Sequence, residues 1–222
     1  MADGMPARPK IAAIATTYYK YSHAQHIVDR FLEGHRWAGR FREPAVDLVS
    51  LYVDQVNSRD LSRERARRYP QMTIYPSIAD ALTLGGSELA VDGVLLVAEH
   101  GTYPKNRKGQ KLYPRAQFFE QIVDVFRASG RTAPVFNDKH MSYDWTKARR
   151  MYDLSRELGF AFMAGSSLPV TYRIPAVDVP AGAGVSEAMG LGYGNLDSYD
   201  IHVFETIQCM VERRAGGETG VR

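Results

Sequence analysis

Residues 135–165 constrain the fold of this 222-residue chain more than any other stretch. The apolar pair Val135-Phe136 stops at a charged triplet, Asp138-Lys139-His140. An amphipathic segment over 144–158 follows, then a second apolar run from Phe160 to Met163, closed by Gly165. This spacing predicts a strand, a loop, a crossover helix and a parallel strand, connected with the right-handed sense such units adopt. Groups at the carboxyl end of a strand in an open α/β sheet face the ligand crevice. A lysine flanked there by an acid and an imidazole can carry proton chemistry, because neighbouring cations or desolvation lower an ammonium's pKa.

The rest of the chain repeats the alternation. Lys10 to Ala15 reads as a short buried strand, residues 23–33 as a helix with Ile27, Val28, Phe31 and Leu32 at helical spacing, and Val46 to Val53 as a strand ending at Asp54. Gly34 to Pro44 is a polar segment between them, and Ser58 to Tyr69 a basic helix. Ile74 to Pro76 is a short extended piece, and Ile78 to Leu84 a short helix. Val91 to Ala98 is apolar almost throughout, the pattern of a strand covered on both faces, and it ends at Glu99-His100-Gly101. Tyr103 to Pro114 is a polar loop, followed by a helix over Phe118 to Ala128 and a strand over 132–136. Strands alternating with helices predict an α/β fold with a doubly wound parallel sheet. Residues 173–195, rich in proline and glycine, read as an extended linker, and about Ser198 to Arg214 as a final helix.

Composition excludes several classes. Apolar content of 45%, charged content of 24% and a formal charge of +3 are those of an ordinary globular protein. The arginines are scattered among acids rather than gathered into the stripe that nucleic-acid binding needs, so no nucleic-acid partner is expected. Cys209 is the only cysteine, which rules out an internal disulfide or a cysteine-based metal site. No apolar run reaches the length of a membrane span, and no signal-peptide stretch is present, so a cytoplasmic protein without a membrane partner is the expectation.

The order of these elements resembles the Gfo/Idh/MocA family of nicotinamide-dependent oxidoreductases acting on sugar-type substrates, over roughly residues 9–168 and again at 190–206. In that family a strand ends in Glu-Lys-Pro and the next closes in a glycine-containing turn; here stand Asp138-Lys139-His140 and Gly165-Ser166-Ser167. The resemblance implies that Lys139 contacts the substrate hydroxyl and the nicotinamide. It also implies an acid/base role for His202, although Ser198 stands where the family has an aspartate, with Asp197 beside it. The glycine-rich loop is the departure: Ala15, Thr17 and Lys20 fall on the three glycine positions when His23 is matched to the family's histidine. The resemblance further implies a Rossmann-like domain over 1–168, with 169–222 as a linker and the start of an incomplete second domain. A homo-oligomer is implied for the full-length form.

The candidate catalytic residues are therefore Lys139, His202, His140 and Asp138. Candidates for holding NAD or NADP are Thr16, Thr17, Lys20, Asp54 and Glu99; candidates for a carbohydrate-like substrate are His100, Tyr103 and Ser166. Asp54 ends the second strand, where the ribose-binding acid of dinucleotide folds stands. Tyr103, Lys105, Asn106, Lys111, Tyr113 and Arg115 form a polar-aromatic set on the long loop. Glu99, His100, His202 and Glu205 lack diagnostic metal-ligand spacing, so no metal is expected. Three readings stay open: an oxidoreductase acting on a carbohydrate or polyol, a non-redox lyase or hydrolase on the same scaffold, and a noncatalytic sugar-binding domain.

Overall fold

The computed structural model describes residues 7–220. Along the chain run β1 (Lys10–Ala15), α1 (His23–Glu33), β2 (His35–Trp37), β3 (Arg40–Arg42), β4 (Asp47–Val53), α2 (Ser62–Arg68) and β5 (Thr73–Ile74). Then come α3 (Ile78–Thr83), β6 (Gly93–Val97), α4 (Arg115–Ser129), β7 (Val135–Asp138), α5 (Trp145–Glu157), β8 (Phe162–Gly165), a 3-10 turn at Leu168–Val170, and α6 (Leu196–Val211).

Six strands form one sheet in the order β5-β4-β1-β6-β7-β8, every neighbouring pair parallel. Without the small β2–β3 hairpin this is the 3-2-1-4-5-6 order of a Rossmann-like fold. Chain direction across the sheet reverses between β1 and β6, which opens a crevice at the carboxyl ends of those two strands. Side chains alternate between faces, as a pleated strand requires. Ala12, Ile14, Val94, Leu96 and Val135 pack with Phe119, Ile122 and Phe126 of α4 and with Met151 and Leu154 of α5. Ile11, Ala13, Ala15, Leu48, Leu51, Leu95 and Val97 pack on the other face with Ala24, Val28 and Leu32 of α1.

The helix starts follow local side-chain chemistry. The Ser22 hydroxyl accepts from the Gln25 N–H, Ser77 from Asp80, Asp144 from Lys147 and Asn195 from Ser198, so α1, α3, α5 and α6 each begin on a capped turn. Gly34 ends α1 at φ +73°, and a Cβ there would stand 2.5 Å from the Arg42 carbonyl oxygen. No residue of α6 is buried, and Leu196 and Phe204 are exposed. No described helix is long and apolar enough to cross a membrane.

Four local expectations are corrected. Residues 35–42, read only as polar, form a hairpin, because Ala38 and Gly39 both take positive φ and close a two-residue turn. Helix α2 starts at Ser62, not Ser58, because the Asn57 side chain accepts the Arg59 N–H and its carbonyl accepts that of Asp60, a local turn that competes with helix. Strand β7 is carried on to Asp138 by its ladder with β8, rather than stopping at Phe136. Arg115 belongs to α4 and is fully buried; it is not part of the loop.

Candidate active site

The site begins with how β7 ends. The side-chain amide of buried Asn137 donates to the carbonyls of Asp138, Lys139 and His140 at 3.2–3.3 Å, coiling the chain as it leaves the sheet. Lys139 is thereby held at φ +65°, and His100, just beyond the neighbouring strand β6, at φ +69°. Neither residue gains the ease that glycine has there, so both turns store backbone strain of order 1–3 kcal/mol. Such strain is found where a side chain must be aimed.

Lys139 is 6% exposed, and its ammonium lies 3.2 Å from Glu99 Oε1. The other oxygen of Glu99 accepts from Arg115, which is 1% exposed. Arg115 also lies 3.2 Å from His140 Nε2 and stacks on the Tyr113 ring, 4.9 Å from its centroid. An arginine only donates, so His140 Nε2 accepts and the imidazole carries its proton on Nδ1. Burial, and then the Arg115 charge, push His140 down to about 4. Burial and the nearby His23 likewise lower His100, whose Nε2 is buried without a partner.

A second group adjoins the first. Asp138 meets His23 Nδ1 at 2.6 Å, and the His23 ring sits edge-on to His100 at 5.1 Å. Ser166 Oγ lies 2.6 Å from His202 Nδ1, and the Ser166 N–H donates to Glu205 at 2.8 Å. Burial and the Lys139 charge lower the His202 pKa. Gly165 makes this approach possible: at φ +151°, an added Cβ would stand 2.7 Å from a Glu205 carboxylate oxygen. His23, Asp138, Gly165, Ser166 and Glu205 share the lining of a cavity of about 600 Å³. Lys139 reaches toward α6 as well, its ammonium 3.5 Å from the Ser198 carbonyl.

The fold thus gathers Asp138, Lys139, His140, Glu99, His100, His202 and Ser166 at one end of the sheet. The first loop is divided. Thr16 and Thr17 are buried, with the Thr16 hydroxyl donating to the Glu99 carbonyl at 2.7 Å, whereas Lys20 is exposed. Asp54 and Tyr103 meet elsewhere on the rim: Asp54 accepts from the Tyr103 hydroxyl at 2.6 Å and from that of Tyr52 at 3.0 Å. Gln55 pins the same corner with two hydrogen bonds to the Thr102 backbone. Sequence reasoning missed the roles of Arg115, Asn137 and His23 in this constellation. The signals were slender: a helix-start arginine, one amide before the triplet, and a histidine opening α1. Among the described residues no group of three or more His, Cys, Asp or Glu is placed to hold a metal ion.

Asp54 is the group that would meet a dinucleotide's ribose, but tyrosine hydroxyls occupy it, and at the pyrophosphate end Thr16 and Thr17 are buried where glycines would leave room. Asp54 stands at the carboxyl end of β4, beside the switch point, and already accepts two hydroxyl donors, the contact a ribose makes.

The sheet order and its crevice define a Rossmann-like α/β protein. No family model and no curated protein matches the chain. Solved structures similar to it include GenD2 from gentamicin A biosynthesis in complex with NAD, at 16% identity and a TM-score of 0.47 over 74% of this chain and 36% of that one. Another is apo scyllo-inositol dehydrogenase from Lactobacillus casei, at 10% identity and a TM-score of 0.47 over 76% and 38%. A third is biliverdin reductase from Synechocystis sp. PCC 6803 in complex with biliverdin and NADP+, at 14% identity and a TM-score of 0.45 over 70% and 37%. The chain spans less than two fifths of the length of each, and the likeness is one of fold.

Proposed function

We propose that the chain is part of an NAD(P)-dependent oxidoreductase acting on a small hydroxylated substrate, a carbohydrate or polyol. The observation that carries this reading is Lys139, buried at the strand exit with its ammonium on Glu99 beside the switch point. Shared with Arg115, the Glu99 carboxylate holds the lysine in place, and Lys139 donates a hydrogen bond to the substrate oxygen. His202, whose Nδ1 lies 2.6 Å from Ser166 Oγ, takes the hydroxyl proton on Nε2 in the tautomer whose Nδ1–H is donated to Ser166. Burial and the Lys139 charge, which lower its pKa, favour the unprotonated imidazole that can accept a proton. Asp54 would hold the ribose of the dinucleotide, and Lys20 supplies a cation beside the first loop. The bound nicotinamide supplies the hydride acceptor.

The test is native mass spectrometry with NAD(H) and NADP(H), followed by nicotinamide absorbance during turnover of a polyol panel. Stoichiometric dinucleotide, and turnover falling on the order of 100-fold in Lys139→Ala, are expected. One observation favours a second reading, a lyase or hydrolase that uses Lys139 and His202 without a dinucleotide: the Tyr103 phenol on Asp54. Sugar turnover without any absorbance change would select it and end the redox reading.

A further inference from the structure

Three of the chain's seven lysines, Lys105, Lys108 and Lys111, lie within one short stretch of the loop after β6. Residues 103–114 also carry Arg107 and contain no acid. The loop is ordered. Lys105 and Lys111 pair as an antiparallel bridge, Asn106 exchanges backbone bonds with Gly109 and Gln110, and its side chain accepts the N–H groups of Lys108 and Gln110. Leu112 N–H closes onto the Pro104 carbonyl at 2.9 Å. The three lysines line a cavity of about 540 Å³ together with Tyr113, Asn195, Asp197 and Ser198. Among the described residues none of the three ammonium groups is paired with a carboxylate, whereas arginines 63, 65, 68, 127, 149, 150 and 173 all are.

Three positive charges therefore face one negative charge, that of Asp197, across a preformed cavity. Asp197 is itself engaged, accepting the Lys111 N–H at 2.9 Å. Like charges gathered around one cavity repel one another, and a multiply charged anion relieves that repulsion. Ser198, on the cavity wall, accepts from the Lys139 ammonium, so the cavity adjoins the reactive lysine. We propose that this cavity binds a phosphate group, and that the substrate is a phosphorylated polyol or sugar, its phosphate on Lys105, Lys108 and Lys111 and its reacting hydroxyl at Lys139. The substrate assignment rests on the function proposed above; the anion site does not.

The test is calorimetric titration of the chain with inorganic phosphate at low ionic strength, where such contacts are least screened. Acetate is run in parallel. Binding with a dissociation constant on the order of 1 mM, at least about tenfold tighter than acetate, is expected. The double variant Lys105→Gln/Lys108→Gln should weaken phosphate at least about tenfold, and Arg36→Gln, at an exposed cation on the hairpin, should leave it unchanged. Both substituted lysines are exposed, so the fold is retained. No phosphate binding, binding unchanged in the double variant, or loss through Arg36→Gln would each overturn the proposal. Turnover enters none of these readouts, so failure of the redox reading leaves the anion site standing, and loss of the anion site leaves the redox reading standing.

Discussion

Glu99 is the residue on which the buried charges depend. It pairs with Lys139 and Arg115 together, and Glu99→Gln removes the carboxylate charge that both cations contact. Leaving buried cations uncompensated costs about 3–5 kcal/mol, so the urea midpoint should fall steeply; an unchanged midpoint would mean that water reaches the pair. His140 gives a pH signature. Its pKa falls from the ordinary 6.5 to about 4 on folding, so between those values the unfolded chain binds more protons. Its contribution is complete above pH 6.5 and is lost as pH falls toward 4, amounting to about 3 kcal/mol. Urea melts at pH 7 and pH 4.5 should show the decline, with a shallower slope in His140→Asn. The triplet's position was legible in the sequence, since a charged run after an apolar strand is plain. Its partners were not, because Arg115 and Glu99 lie 16 residues apart and meet only when α4 packs back on the sheet.

At the scale of elements, α5 ties the triplet to β8. Its Asp144 cap satisfies the Lys147 N–H, and Asp144→Ala should cost about 1 kcal/mol by thermal or chemical unfolding. Gly165→Ala tests the junction of β8 and α6. It strains a positive φ and drives a methyl group into Glu205. Loss of the Ser166–Glu205 contact should then change the His202 titration followed by NMR; an unaltered His202 resonance would separate that histidine from the turn. The helices and strands were readable from periodicity, but their ends were not. An Asx turn at Asn57 and an Ala38-Gly39 hairpin turn are weak signals in sequence that hydrogen bonds make decisive in the fold.

For the whole molecule, two apolar layers enclose the sheet, and Phe119 lies at the centre of one of them, fully buried against Phe160 and Phe162. Phe119→Ala should cost about 3–5 kcal/mol in global stability. Tyr103→Phe probes the rim of the crevice. It frees Asp54 of one hydroxyl donor and should strengthen NAD(H) binding by native mass spectrometry, with little effect on stability. Weaker binding would mean that the phenol helps to hold the dinucleotide.

The sequence by itself determined the alternation of strands and helices, the parallel sheet and the reactive end of β7, because burial periodicity and charge breaks are local properties of the chain. Only the tertiary structure decided that Glu99 would join Lys139 to Arg115, that His23 would find Asp138, and that Tyr103 would lie on Asp54. Those pairings join residues far apart in the chain, and the packing of helices on a twisted sheet, which no local pattern encodes, brings them within hydrogen-bond reach.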